Sequence, residues 1–145
     1  MFNNILILCI GNICRSPMGE AIFKHKLSHL EVAISSAGLG ALVNYPADPM
    51  VQELLKLENI DCSEHRARQV NKIMVDEADL ILVMEKNHRN EMIRLFPSSC
   101  GKVHLLGKWS EFEIADPYKK PKEIFQNAYR LIAQGVDEWQ KRLWN

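Results

Sequence analysis

Five residues separate Cys9 from Arg15, and Ser16 and Pro17 follow directly. An ionised thiol is a strong nucleophile, and a guanidinium group offers a planar pair of N–H donors that matches two oxygens of a phosphate. The hydroxyl of Ser16 is placed to donate a hydrogen bond to such a thiolate. These residue types at this spacing predict a nucleophile facing a bound oxyanion, as phosphoryl transfer through a covalent intermediate requires.

The backbone between the cysteine and the arginine is predicted to bind the anion. It consists of Ile10, Gly11, Asn12, Ile13 and Cys14. A loop that curls between a strand and a helix turns successive N–H groups towards its centre, and the helix N-terminus adds a positive dipole. Gly11 and Asn12 tolerate the left-handed backbone that such a curl requires. For Cys14, simple packing and a disulfide that protects Cys9 from over-oxidation both stay open.

Loss of an alkoxide or phenoxide from phosphorus also requires a general acid, which should follow another strand at the same edge of the sheet. Asp48 precedes Pro49, a pair that favours a helix N-terminus, and Glu85 precedes a predicted helix that it could equally serve. Asp116-Pro-Tyr118 lies in a long connection where no helix begins at once. Asp116 is therefore the candidate acid, and an ordinary turn aspartate is the alternative.

The elements that position these residues follow from alternating apolar runs and amphipathic stretches. Strands are expected at residues 4–10, 31–36, 80–84 and 102–106, and helices from Ser16 to about Leu30, from Asp48 onwards, at 87–96 and at 124–143. Helical crossovers between strands imply parallel pairing. We predict a single domain over residues 1–145, a three-layer, doubly wound α/β fold with a four-stranded parallel sheet. Its phosphate-binding loop follows the first strand, and ligands bind at the carboxyl ends of the strands.

Composition narrows the class of protein further. The 145 residues carry 18 Lys+Arg against 18 Asp+Glu, so no net field attracts nucleic acid or an anionic membrane surface. The apolar run from Ile5 to Ile10 falls far short of the ~20 residues that span a bilayer, and no basic segment precedes it as in a signal peptide. We expect a cytoplasmic protein with reduced cysteines. A chain of this length folds without a structural metal, and no cofactor is expected.

Three segments together resemble the low-molecular-weight protein tyrosine phosphatases over essentially the whole chain. They are Cys9-Ile-Gly-Asn-Ile-Cys-Arg-Ser-Pro17, Ser36-Ala-Gly38 and Asp116-Pro-Tyr118. The stretch at residues 36–42 and the approach Gly107-Lys-Trp109 are similar to the bacterial members attached to capsule and exopolysaccharide export systems. The resemblance implies a phosphotyrosine protein as substrate, in particular a membrane tyrosine autokinase.

The same resemblance implies a role for each site residue. Cys9 would be the nucleophile, Arg15 the phosphate clamp and Asp116 the general acid, with Ser16 supporting the thiolate. Asn12 and Ser36 would hold the loop in its strained form, while Tyr118 and the apolar loop from Leu39 to Val43 would line the entrance for the substrate ring.

Three alternatives follow from the same residues. An arsenate reductase on this scaffold needs a further close pair of cysteines, whereas Cys62 and Cys100 are far apart in the sequence. A zinc-stabilised module could use Cys62 with His65 and Cys100 with His104. A phosphotyrosine-binding protein without turnover would need neither the thiol nor the acid.

The charged segment His65-Arg66-Ala67-Arg68 is interpreted as a solvated or strand-edge cluster. Trp139 and Trp144 are interpreted as packing residues on the last helix. No feature of the sequence indicates the oligomeric state.

Overall fold

The computed structural model describes residues 2–144. Its strands are β1 (Asn4–Cys9), β2 (Ala33–Gly38), β3 (Leu80–Val83) and β4 (Val103–Leu105). Its helices are α1 (Arg15–Lys26), α2 (Pro49–Leu57), α3 (Lys72–Glu77), α4 (Lys86–Leu95) and α5 (Lys122–Leu143). Short 3-10 turns occupy Pro97–Ser99 and Lys108–Ser110.

Within residues 2–144 the four strands form one sheet in the order β2-β1-β3-β4, and every neighbouring pair is parallel. The chain crosses from one side of β1 to the other between β2 and β3, so strand order reverses beside β1. The register pairs Cys9 with Gly38 and Ile7 with Leu82. The end of β1 therefore lies in the crevice where doubly wound sheets bind ligands, and the predicted α/β class is confirmed.

The two faces of the sheet are covered by different helices because side chains alternate along each strand. Ile7 and Cys9 belong to a core with Phe23 of α1 and Ile132 of α5. Leu8 belongs to the opposite core, where Val75 of α3 and Met92 of α4 pack. Both faces of β1 are thus buried, as its continuous apolar sequence predicts.

The predicted start of the first helix is wrong in one respect. The helix begins at Arg15, and Cys14 occupies the N-cap position without a side-chain hydrogen bond to the helix. Ser16 is not the cap because its hydroxyl turns towards Cys9 instead. The helix also ends at Lys26 rather than near Leu30.

The second helix begins as predicted. The Asp48 carboxylate accepts a hydrogen bond from the Met50 N–H at 2.9 Å, and Pro49 stands at the first helical position. Strand β2 lies two residues later than predicted, at Ala33–Gly38, so that it runs through the Ser36-Ala-Gly38 motif.

Helix α3 escaped prediction altogether. It has six residues, too few to show a helical period, and is held at its start by Asn71, whose side chain accepts from the Met74 N–H at 3.0 Å. The remaining ends differ from prediction by one or two residues, as helix and strand termini commonly do. No helix in the described part of the chain is both long and apolar enough to cross a membrane.

Candidate active site

A pocket of about 180 Å3 opens at the carboxyl end of β1. Its lining residues are Cys9, Ile10, Gly11, Ile13, Cys14, Arg15, Gly40, Leu42, Asp116 and Tyr118. Three segments distant in sequence therefore meet here: the loop before α1, the loop after β2 and the long connection before α5. The pocket brings together Cys9, Arg15, Asp116 and Tyr118, which the sequence singled out for chemistry.

The loop at residues 10–14 presents its backbone N–H groups without internal partners. None of these N–H groups donates to an acceptor among residues 2–144, whereas the carbonyls of Ile10, Gly11 and Ile13 accept from Gly40, Leu42 and Asp48 at 2.9–3.0 Å. Asn12 adopts the left-handed backbone at φ 59°, and Gly11 does not. The carbonyls are thus held by surrounding loops, and the N–H groups are left for an anion beside the N-terminus of α1.

Ser16 supports the sulfur of Cys9. Its hydroxyl oxygen lies 2.9 Å from Cys9 Sγ, and its backbone N–H lies 3.4 Å from the same sulfur. The side-chain amide of Asn12 donates to Ser16 Oγ at 2.7 Å. An ionised Cys9 sulfur can only accept, so the Ser16 hydroxyl, which accepts from Asn12, can donate its own proton to a thiolate there.

Asn12 is fully buried, and its polar atoms form hydrogen bonds with residues distant in sequence. Its amide also donates to Ser36 Oγ at 3.0 Å, and Oδ1 accepts from the Arg68 N–H at 2.9 Å. The ring nitrogen Nε2 of His65 lies 2.7 Å from the Asn12 carbonyl, and Ser36 Oγ donates to Glu20 at 2.5 Å. This network fixes the strained residue of the loop from behind.

The network adds contacts to the segment interpreted as a solvated or strand-edge cluster. The segment runs beside β2, where the Gly38 N–H donates to the Arg68 carbonyl at 2.9 Å, and Arg66 and Arg68 are exposed. His65 and Arg68 also hydrogen-bond Asn12, and Arg68 Nε donates to the Ser36 carbonyl at 2.9 Å. Asn12 and Ser16, both fully buried, lie behind the pocket rather than in its lining. The sequence around residue 65 contains no pattern that predicts contacts with Asn12, more than fifty residues away.

Arg15 is anchored on one side and open on the other. Its side chain is 2% exposed, and Nη1 donates to Glu85 Oε2 at 2.5 Å and to the Ile114 carbonyl at 2.8 Å. Nη2 lies 3.8 Å from Asp116 Oδ2, beyond hydrogen-bond range. The Nε and Nη2 edge of the guanidinium is therefore available for two oxygens of a phosphate.

The three carboxylates considered as acids occupy different environments. Asp48 caps α2, and Glu85 binds Arg15. The Asp116 side chain is 49% exposed and lines the pocket, with Oδ1 accepting from the Tyr118 N–H at 3.1 Å. Of the three, only Asp116 lines the pocket.

The expectation that Leu39 of the loop after β2 lines the entrance of the pocket is wrong. Gly40 and Leu42 line the pocket, whereas Leu39 packs against the core on the other face of the sheet. The Leu39 N–H donates to the Cys9 carbonyl at 2.9 Å, so the residue contacts the loop through its backbone. Gly38 precedes it at a point where a Cβ would lie 2.2 Å from the Ile10 carbonyl oxygen. Only glycine permits this close approach.

The remaining cysteines differ in environment. Burial, reinforced by the Asp48 carboxylate, raises the pKa of the Cys14 thiol far above its usual range. Burial raises the pKa of Cys62 to about 11, and Cys100 is exposed. No group of three or more metal-ligating side chains is found among residues 2–144.

Comparison with known proteins extends these observations to the whole chain. The family model for low molecular weight phosphotyrosine protein phosphatases matches residues 4–145. The probable low molecular weight protein-tyrosine-phosphatase EpsP of Ralstonia nicotianae is 46% identical over 143 residues, which cover 99% of this chain and 97% of the relative. The Wzb phosphatase of Escherichia coli K12 is 42% identical over 144 residues, covering 99% and 97%.

A solved structure shows the same relationship in three dimensions. Wzb of Vibrio vulnificus in complex with benzylphosphonate superposes with a TM-score of 0.94 at 39% identity, covering 99% of this chain and 100% of that one. The family match, the sequence identity and the structural likeness agree with the anion-binding loop and with the thiol at its centre. The chain therefore belongs to the low molecular weight phosphotyrosine protein phosphatases and is a protein-tyrosine phosphatase.

Proposed function

We propose that the protein hydrolyses phosphotyrosine through a cysteinyl-phosphate intermediate on Cys9. The observation that carries this proposal is the convergence of Cys9, Arg15 and Asp116 on one pocket of about 180 Å3. These three residues supply a nucleophile, a clamp for phosphate oxygens and a proton donor, which are the parts that the reaction needs.

In the first step the Cys9 thiolate attacks phosphorus in line with the leaving tyrosine oxygen. The S–P bond forms, the P–O bond to tyrosine breaks, and the proton of Asp116 passes to the departing oxygen. Arg15 and the free N–H groups of residues 10–14 bind the equatorial oxygens, where charge develops.

In the second step water replaces the thiolate. The Asp116 carboxylate accepts a proton from the water as its oxygen attacks phosphorus, and the S–P bond breaks to release inorganic phosphate and the Cys9 thiolate. Ser16 stabilises this leaving thiolate through the hydrogen bond at 2.9 Å. Both residues thus return to their starting states.

The depth and lining of the pocket favour an aryl phosphate. Cys9 is 2% exposed at the floor, so a phosphoryl group must be carried inwards on a long, flat side chain. Leu42 and Tyr118 line the same pocket above it and offer apolar surface to an aromatic ring. Phosphoserine has no ring to make these apolar contacts with Leu42 and Tyr118.

We further propose that residues 1–145 act as one domain in the cytoplasm, where the nucleophilic thiol stays reduced. The substrate we propose is a phosphorylated tyrosine autokinase of a capsule or exopolysaccharide system. The similarity to EpsP and Wzb supports this assignment.

The catalytic assignment is tested with aryl phosphates of graded leaving-group acidity. We expect no turnover from Cys9→Ser and, for Asp116→Ala, a defect that shrinks as the leaving group becomes more acidic. Unchanged activity in Cys9→Ser, or a constant Asp116→Ala defect across the series, would contradict the mechanism.

The partner is tested separately with the phosphorylated cytoplasmic region of a tyrosine autokinase from the same organism. We expect wild-type protein to release phosphate from it and Cys9→Ser to bind it, with inorganic phosphate competing. Activity on phosphotyrosine peptides combined with none on the autokinase would overturn the partner and leave the chemistry standing.

A further inference from the structure

His88 of α4 is a buried side chain that lies behind the arginine of the pocket. It is 3% exposed, and its Nε2 lies 3.2 Å from Glu85 Oε2. The same carboxylate oxygen accepts from Arg15 Nη1 at 2.5 Å. His88, Glu85 and Arg15 therefore form a chain of contacts that ends at Nη1 of the guanidinium, whose Nε and Nη2 edge is left for phosphate oxygens.

The protonation state of His88 follows from its surroundings. Burial, reinforced by the positive charge of Arg15, lowers the pKa of His88, although the carboxylates of Glu85, Asp116 and Glu113 oppose this shift. Nδ1 is buried and has no hydrogen-bond partner in the described part of the chain. A neutral ring with its proton on Nε2 places that N–H beside Glu85 Oε2 and leaves Nδ1 without a proton that would need an acceptor.

Glu85 is partly exposed, and a second partner beside Arg15 holds it in place. Its side chain is 31% exposed, and within residues 2–144 its carboxylate forms ion-pair contacts only with Arg15 and His88, both through Oε2. A carboxylate at this exposure can leave its ion-pair partner for water at little cost in free energy. If Glu85 turned outwards, Arg15 Nη1 would keep only the Ile114 carbonyl.

We propose that His88 is a positioning residue that holds the Glu85 carboxylate on Arg15, so that the guanidinium is preformed to receive the phosphoryl group. This inference rests on the proposed function and adds a residue to its machinery. Positioning of this kind lowers the reorganisation needed when phosphate enters the pocket. His88 itself is not among the residues that line the pocket.

The test compares His88→Gln with His88→Asn and His88→Ala. The amide nitrogen of glutamine reaches the place of Nε2 and can donate to Glu85, whereas that of asparagine corresponds to Nδ1 and cannot. We expect His88→Ala and His88→Asn to weaken binding of inorganic phosphate and to lower kcat/KM about tenfold, because the 3.2 Å contact of Nε2 with the Glu85 carboxylate is lost. His88→Gln should stay within about twofold of wild type.

A second arm repeats His88→Ala in the Glu85→Ala background. Positioning through Glu85 predicts that the effect of His88→Ala on phosphate binding nearly disappears there. Equal behaviour of the glutamine and asparagine variants, or an undiminished effect without Glu85, overturns the proposal. Thermal unfolding of each variant separates misfolding from mispositioning.

Phosphate binding is measured by calorimetry and needs no turnover. A wild-type protein that binds phosphate but hydrolyses no phosphotyrosine would refute the proposed function, while the His88 comparison could still succeed or fail by itself.

Discussion

The hydroxyl oxygen of Ser16 lies 2.9 Å from the sulfur of Cys9 and accepts a hydrogen bond from the Asn12 amide at 2.7 Å, which leaves its proton free to donate to a Cys9 thiolate. The Ser16 hydroxyl oxygen thus connects Asn12, which shapes the loop, with Cys9, which we propose as the nucleophile. The arrangement makes the reactivity of Cys9 depend on Ser16.

Replacing Ser16 with alanine should lower kcat on aryl phosphates by about tenfold or more, with a smaller effect on KM. The lost hydrogen bond stabilises the attacking and departing thiolate rather than the bound phosphate. Steady-state kinetics measure both constants. Ser99→Ala is the matched control, since Ser99 is equally buried but donates to the Phe96 carbonyl away from the site. Equal losses in both variants would contradict the role of Ser16.

Gly38→Ala should destabilise the protein by about 2 kcal/mol or more and lower kcat/KM. The added Cβ would meet the Ile10 carbonyl oxygen at 2.2 Å, and backbone on both sides must shift. Chemical denaturation and kinetics give the two effects. At Gly101 nothing lies within 4 Å of a new Cβ, so Gly101→Ala should leave activity unchanged. A neutral Gly38→Ala would show that the two loops need not approach so closely.

Alkylation with iodoacetate near neutral pH should label Cys9 and the exposed Cys100 but spare Cys14 and Cys62. The pKa of Cys14 is raised by burial, and that of Cys62 to about 11, so both remain protonated thiols, which react slowly. Labelling of Cys62 should rise as the pH approaches 11. Inorganic phosphate should protect Cys9 and not Cys100. Peptide mapping measures each site, and rapid labelling of Cys14 at pH 7 would contradict its buried environment.

Stability should fall as the pH drops below about 6.5, the ordinary pKa of histidine, partly because of His88. Its folded pKa is lowered, so the unfolded chain takes up a proton at a pH where the folded protein does not. The stabilisation is complete above 6.5 and is lost as the pH falls towards the folded pKa. His104, whose pKa burial also lowers, adds a change of the same sign.

Urea denaturation of wild type and His88→Gln at pH 7.5 and 5.5 checks this prediction. We expect the loss between the two pH values to be smaller in His88→Gln, and smallest in the double variant with His104→Gln. If the free energy of unfolding falls equally in wild type and both variants, other titratable groups cause the loss of stability at acid pH.

The sequence was informative where the chemistry is local. Cys9, Arg15 and Ser16 lie in one short segment. The buried strand before this segment and Pro17 after it indicate a turn from a strand into a helix. Asp116 could be singled out because no helix begins there to give the carboxylate another task. These expectations depend on neighbours in sequence, and the pocket brings Cys9, Arg15 and Asp116 together, with Ser16 behind Cys9.

The residues that sequence reasoning missed act across long separations. Glu85 meets Arg15 over seventy residues, and His65 and Arg68 reach Asn12 over more than fifty. Their contacts depend on the conformations of loops at the edge of the sheet. The hydrophobic periodicity of the sequence does not predict these conformations. Leu39 was placed on the wrong side of its loop because the backbone contact with Cys9 turns its side chain to the opposite core.

The covalent intermediate is tested most directly by intact-mass and peptide-mapping measurements on enzyme quenched in acid during turnover of an aryl phosphate with an acidic leaving group. In Asp116→Ala, formation of the intermediate needs little acid assistance, whereas its hydrolysis lacks the base. We predict that phosphate accumulates on Cys9 in this variant. Turnover without covalent phosphate on the protein, or phosphate on another residue, would contradict the mechanism.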